Sequence, residues 1–270
     1  MGIEKISSPH SPHVARVRAL LGSRGKKERA GSKEFVLEGR SALIAALNPQ
    51  TSLAPKLEKI YLTETGADLL ADIPLTKSGI KIYTVSDAVM KQMADTETPQ
   101  GILGICSFRE NTLHRLTHQD GNSPMKLAFF WEMQDPGNCG TVIRAADAAG
   151  FDGIMFSTNS VDIYSPKAVR ATAGSLWNIP VIQDVSLEEI LDKAESFSLN
   201  AFDSHAKHSF DQVVVPDDKG IVLIFGNEAR GLPSNIPSEM RVQIPMRGHT
   251  ESMNVASAAA IAMYHFGRIA

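Results

Sequence analysis

Asn138-Cys139-Gly140-Thr141-Val142-Ile143-Arg144, then Gly226-Asn227-Glu228-Ala229-Arg230-Gly231-Leu232-Pro233, then Ile244-Pro245-Met246 followed by Ser252-Met253-Asn254-Val255, are the segments that decide the fold of this 270-residue chain. The first continues a Pro/Gly turn, Asp135-Pro136-Gly137, and enters a helical pattern that reaches Ala149. The second directly follows the apolar run 221–225, and the third closes a strand-like run at 241–244 before an Ala-rich helical stretch. A buried strand, a turn of Gly, Pro or Asn and then a helix, used repeatedly, describes an α/β domain with a parallel sheet, whose ligands bind at the strand ends.

Outward from these segments, runs 126–131, 153–156, 213–215, 221–225 and 241–244 read as strands, with helical pattern at 140–149, 187–196 and 254–266. The run at 126–131 is apolar enough to be buried on both faces of a parallel sheet. The first half carries a smaller α/β pattern. Val14, Val17, Leu20 and Leu21 stand at helical spacing, and Gly22-Ser23-Arg24-Gly25 interrupts that helix. Strands follow at 34–38, 59–62, 80–83 and 102–106, with a helix at 39–47 stopped by Asn48-Pro49. Residues 110–124 turn polar and read as a linker. The expected organisation is a basic N-terminal helix or extension at 1–30, an α/β domain at 31–109, a linker at 110–124 and a parallel-sheet domain at 125–270.

Composition bounds the function. A chain with 43% hydrophobic residues and no apolar run near the roughly 20 residues of a membrane helix is expected to be globular, with no membrane partner. No signal-peptide pattern opens it, so the expected location is cytoplasmic. Cys106 and Cys139 lie far apart without ligand spacing and read as reduced, small apolar side chains rather than a disulfide or a metal site. The net charge is −3, but residues 1–40 hold nine Lys/Arg against four acids, leaving −8 for the remainder. Arg24, Lys26, Lys27 and Arg29 are the centre of that basic end. They read as phosphate-facing groups or as the solvated face of a helix.

The three segments have chemistry of their own. The turn at 135–140 opens a helix, where backbone N–H groups and the positive end of the helix dipole suit an anion. Arg144 lies about one and a half turns further on, within reach of the strand ends or simply on the surface. Gly226 and Gly231 let backbone approach a ligand closely, in a loop that is neither Gly-x-Gly-x-x-Gly nor a P-loop. Glu228 is an ordinary proton acceptor or an anchor for the loop. Ser252 or Asn254 caps a helix, which is compatible with a ligand-binding loop ahead of it.

Together and in this order, the segments resemble the SpoU/TrmH branch of the knotted methyltransferases, the SPOUT superfamily. Its members move a methyl group from S-adenosylmethionine to a ribose hydroxyl of structured RNA. The resemblance extends to Thr98-Pro99-Gln100-Gly101, which recurs at the last strand of the family's ribosomal-protein-like RNA-binding domain, and to the stretch from Tyr164 to Ser175. It implies a deep trefoil knot, in which the second and third segments thread one another around the cofactor, against the usual rule of unknotted chains. It implies catalytic roles for Asn138, Arg144, Glu228, Ser252 and Asn254. Cofactor contacts carry over to Gly226, Asn227, Gly231, Ile244, Pro245, Met246 and Met253. Lys167 and Arg170 face RNA or solvent. A homodimer is implied as well, with the helix at 254–266 as its interface element. Met253 stands where leucine is usual, and Ala256 where serine is usual.

Guanidinium is almost never deprotonated in a protein. Arg144 therefore either grips RNA phosphate while stabilising developing charge, or acts as a base through an unusual environment. The expected activity is metal-free 2′-O-ribose methylation, with ribosomal RNA ahead of transfer RNA by analogy with the separate N-terminal domain. An inactive RNA-binding protein of the same fold is the alternative of a different class. A nucleotide-binding hydrolase is a third reading, for which the sequence offers neither a nucleophile–base pair nor a phosphate loop.

Overall fold

The computed structural model describes residues 4–75, 79–117 and 124–268. The chain forms two compact units, Met1–Arg109 with Asp162–Asn178, and Glu110–Val161 with Ile179–Ala270. No helix among the described residues is long and apolar enough to cross a membrane.

The first unit contains β1 (Glu4–Ile6), α1 (Pro12–Leu21), α2 (Gly25–Ser32), β2 (Glu34–Glu38), α3 (Arg40–Leu47), β3 (Lys56–Leu62), α4 (Glu64–Asp68), β4 (Lys81–Val85), α5 (Asp87–Met93) and β5 (Ile102–Ser107). Its five-stranded sheet has the order β1-β4-β3-β5-β2. Ser11 caps α1 by accepting from the Val14 N–H at 3.3 Å, and Pro12 supplies the first helical residue. One face of α1 then buries Val14, Val17 and Leu20 with Tyr61, Tyr83 and Leu103 of the sheet. Residues 4–30 are therefore not an appendage: β1 pairs in parallel with β4, and α1 closes the core.

The second unit begins with α6 (Leu113–Thr117), β6 (Lys126–Phe130), α7 (Pro136–Ala148) and β7 (Gly153–Ser157). The expected linker holds a helix whose Leu113 and Leu116 are buried in the core of this unit; its residues 118–123 lie outside the described residues. The chain then lends α8 (Pro166–Ala171) to the first unit, where Tyr164 packs on Phe35 with ring centres 4.8 Å apart. It returns with β8 (Val181–Val185), α9 (Leu187–Leu191), β9 (Phe197–Phe202), β10 (His208–Ser209), β11 (Gly220–Phe225), β12 (Arg241–Gln243) and α10 (Val255–Gly267).

Seven parallel strands run in the order β10-β12-β9-β11-β6-β7-β8. β6 and β11 are adjacent and buried along nearly their whole length, which is why they are uninterrupted apolar runs. The expected strand at 213–215 is absent: these residues follow a short 3-10 turn, and Val214 is 86% exposed. Three valines in a row have strand propensity, but no neighbouring strand takes them. β8 and β9 take the places that sequence pattern left empty. The helix expected through residue 196 ends at Leu191. α10 packs on α7, and its buried face carries Ala256, Ala259 and Ala262, small enough for close approach.

Candidate active site

The site lies at the carboxyl ends of β9, β11 and β12, where an open α/β sheet binds ligands. A row of rings runs across these strand ends: Phe202 and Phe225 line the site, Phe130 ends the next strand, and Phe156 lies beside Phe130 on β7. Successive ring centres are 4.7, 5.0 and 5.6 Å apart, in stacked geometry.

Beyond Phe225 the chain turns sharply. The Asn227 N–H donates to the Gly231 carbonyl at 3.0 Å, and the Gly231 N–H returns to the Asn227 carbonyl at 2.9 Å. Gly231 has φ +67, the left-handed backbone that glycine adopts without strain. A side chain at Gly226 would put its Cβ 2.4 Å from the Gly231 carbonyl carbon, so this position admits only hydrogen. Asn227 is buried, and its Oδ1 accepts from the N–H groups of Ala229 and Arg230 at 2.9 and 3.1 Å.

Two helix starts converge on that loop. Asp135 caps α7 by accepting from the Asn138 N–H at 2.7 Å, with Pro136 at the first position. Asn254 caps α10, its Oδ1 accepting from Ala256 and Ser257. The Asn254 amide donates to Asn138 Oδ1 at 3.1 Å, and the Asn138 amide donates to Glu228 Oε1 at 3.3 Å. One residue from each of the three sequence segments thus meets in a single chain of hydrogen bonds.

Beside this chain lies a cavity of about 750 Å³. Gly226, Asn227, Gly231, Ile244, Met246 and Met253, and with them Glu228, Ser252 and Asn254, line it. Pro245 is exposed and does not line it. Phe202, Asp203, His205 and Arg241 also line it and carry no signal of their own in the sequence. Asp203 and Arg241 face each other as an ion pair at 3.0 Å. The signal for them was the strand end Phe202-Asp203, hidden because β9 itself was not recognised.

Other expected site residues stand apart. Arg144 is exposed on α7, with no hydrogen-bond or ion-pair partner among the described residues, and it does not line the cavity. Arg24, Lys26 and Lys27 are exposed on and beside α2. Arg29 is not an RNA-facing group: its side chain is 7% exposed, lies 2.7 Å from Asp162 and also donates to the Leu20 carbonyl. Arg170 is 2.7 Å from Asp95 and 3.9 Å from Glu38, so its charge is balanced within the first unit, whereas Lys167 is exposed. Both cysteines are buried and outside any disulfide, and burial pushes the Cys106 thiol well above its ordinary pKa. Among the described residues, no group of three His, Cys, Asp or Glu could hold a metal ion.

The volume suits a small organic ligand, for which roughly 300–1,000 Å³ is usual. The lining suits S-adenosylmethionine: Ile244, Met253 and Val255 give it apolar surface, and Gly226, with no side chain, lets the main chain of Gly231 and Leu232 close against the strand end and form the wall.

A parallel sheet with a glycine loop and a cavity at its carboxyl strand ends is the arrangement of a nucleotide-cofactor enzyme of the α/β class. Residues 126–264 match the SpoU rRNA Methylase family and residues 12–104 the MRM3-like substrate binding domain. The chain belongs to the SpoU rRNA methylase family. It is 30% identical over 242 residues to the 23S rRNA (guanosine(2553)-2′-O)-methyltransferase RlmP of Bacillus subtilis (strain 168), covering 89% of this chain and 91% of that protein. It is 28% identical over 263 residues to a 23S rRNA (uridine(2479)-2′-O)-methyltransferase of Streptomyces viridochromogenes, covering 92% and 86%. The AdoMet-bound rRNA methyltransferase of Sinorhizobium meliloti superposes with a TM-score of 0.82 at 27% identity, covering 99% of this chain and 98% of that one.

Proposed function

We infer that this chain is an S-adenosylmethionine-dependent RNA 2′-O-ribose methyltransferase acting on ribosomal RNA. The observation that carries the reading is the Asn254–Asn138–Glu228 chain of hydrogen bonds beside the Gly226 cavity. The ribosomal target is supported by the RlmP and Streptomyces relatives.

The cofactor, when bound, supplies an electrophilic methyl group. Gly226, Gly231, Ile244, Met246 and Met253 would hold it, and the segments around 226–231 and 244–254 would form the family's knot. Glu228 is held at Oε1 by Asn138 and is our choice to receive the ribose hydroxyl proton. Arg144 carries its permanent charge outside the cavity, which suits contact with the RNA backbone and the developing alkoxide. Lys167, Arg24, Lys26 and Lys27 are the proposed RNA-facing cations.

We also propose a homodimer through α10, whose Ile261 and Tyr264 are 44% and 64% exposed. Incubation with tritiated cofactor and RNA from cells lacking the protein tests the activity, and mapping the methylated nucleotide gives its position. Label in a base, or none in any RNA, would overturn the reading. Label in transfer RNA alone would overturn the ribosomal target.

A further inference from the structure

Glu132 stands just past β6 with φ +46, a left-handed conformation that a glycine takes freely and a glutamate takes only under constraint. Its polar groups are all engaged. The N–H donates to Ser157 Oγ at 2.7 Å. The carbonyl accepts from Asn227 Nδ2 at 2.8 Å and from Gln134 Nε2 at 2.9 Å. The carboxylate pairs with Arg230. Glu132 does not itself line the cavity.

These contacts grip the 226–231 loop at two points. Asn227 is held through the Glu132 main chain, and Arg230 through its side chain. Glu228, whose carboxylate meets Asn138, lies between them. A glycine at 132 would relieve the backbone and keep both carbonyl contacts, but it would lose the bond to Arg230. That a glutamate occupies a left-handed position therefore places the requirement on the carboxylate.

We propose that Glu132 is a positioning residue that sets the conformation of the 226–231 loop and, through Asn227 and Arg230, the orientation of Glu228. The proposal rests on the methyltransferase reading for its consequence in catalysis, but its structural content can be read without cofactor.

The test uses the full chain as Glu132→Gly, Glu132→Gln, Arg230→Met and the double variant Glu132→Gln/Arg230→Met. In cofactor-free protein, amide hydrogen exchange at Ala229 and Arg230 should speed up by at least about tenfold in each variant, while the core strands keep their protection. Glu132→Gly should melt within a few degrees of wild type, since it exchanges strain relief for chain entropy. Cofactor affinity should fall by on the order of tenfold and kcat by on the order of a hundredfold, the scale of a displaced catalytic group, with KM for RNA unchanged. The double variant should be no worse than either single variant, because one interaction is being removed twice. Unchanged exchange at Ala229 and Arg230, or additive losses in the double variant, would overturn the proposal. Faster exchange in the variants, together with wild-type protein that binds no S-adenosylmethionine, would instead overturn the methyltransferase reading and leave the proposal standing.

Discussion

Asn138 and Asn254 are 116 positions apart and bond amide to amide, the Asn254 nitrogen donating to Asn138 Oδ1 at 3.1 Å. The direction of that bond is fixed from one end. Asn254 must turn its oxygen to the start of α10, where Ala256 and Ser257 donate to it at 2.9 and 3.2 Å, so its nitrogen faces Asn138. Asn138 therefore presents oxygen to Asn254 and nitrogen to Glu228. The cap of one helix thus decides which atom a residue on another helix offers to the carboxylate.

Asn138→Ala removes both links at once. Asn138 is only half-buried, so the fold should hold, with melting within a few degrees of wild type. Methyl transfer should fall by on the order of a hundredfold, while cofactor affinity changes only a few-fold. Asn138→Asp should be worse at neutral pH, because it sets a second carboxylate against Glu228. Single-turnover rates for both variants, with cofactor calorimetry, give the comparison; equal activity in Asn138→Ala and wild type would remove Asn138 from the mechanism.

Gly226→Val should abolish cofactor binding. Its Cβ would meet the Gly231 carbonyl carbon at 2.4 Å, and main chain cannot step aside as a flexible side chain can. Even Gly226→Ala should lose at least about tenfold in affinity, because the clash begins at Cβ. Isothermal calorimetry on Gly226→Ala decides: full affinity there would mean that the loop is looser than its hydrogen bonds imply.

Much of this site was legible because its determinants are local. Pro136 and Asp135 announce α7, Asn254 announces α10, and Gly226 with Gly231 announces a tight turn, each from its immediate neighbours. Long-range partners were not legible. Arg29 looks like its exposed neighbours Lys26 and Lys27 until Asp162, 133 positions on, is folded against it. β9 was hidden by Asn200, a buried polar residue whose amide is satisfied by the Ser198 carbonyl and hydroxyl at 3.2 and 3.1 Å. The run 213–215 misled in the opposite sense, having strand composition without a partner strand. Glu132 carried no signal, because a left-handed glutamate is invisible in sequence.

The basic end of the chain should split into two classes of variant. Replacing Arg24, Lys26 and Lys27 with Gln should weaken RNA binding and flatten its salt dependence by about one log–log unit for each phosphate no longer neutralised, with stability unchanged. Arg29→Met should instead destabilise the first unit, by about 3–5 kcal/mol, because it leaves Asp162 charged and largely buried. Filter binding across a salt series, with chemical denaturation alongside, separates the two. An unaltered salt slope in the triple variant would reduce the cluster to a solvated surface.

The proposed dimer should depend on α10. Tyr264→Glu and Ile261→Glu put charge on exposed apolar positions without touching the buried face of the helix. The wild-type protein should scatter light at twice the 29.2 kDa chain mass, and the paired variant at the chain mass. Wild-type protein that is monomeric and active at micromolar concentration would dispose of the dimer.

Arg144 separates catalysis from binding. It is exposed on α7, outside the cavity and without a partner among the described residues, so Arg144→Ala should leave both stability and S-adenosylmethionine affinity essentially as they are. Methyl transfer should nevertheless fall by on the order of a hundredfold or more, the scale of removing an electrostatic interaction with a transition state. Arg144→Lys distinguishes the remaining roles. A lysine keeps the positive charge but loses the planar fork that grips phosphate at two points, so partial rescue would indicate charge stabilisation and no rescue would indicate bidentate grip. A tritiated-methyl assay on both variants, with calorimetry to confirm cofactor binding, gives the result. Normal transfer by Arg144→Ala would leave the family assignment standing and return the catalytic burden to Glu228 and its asparagine partners.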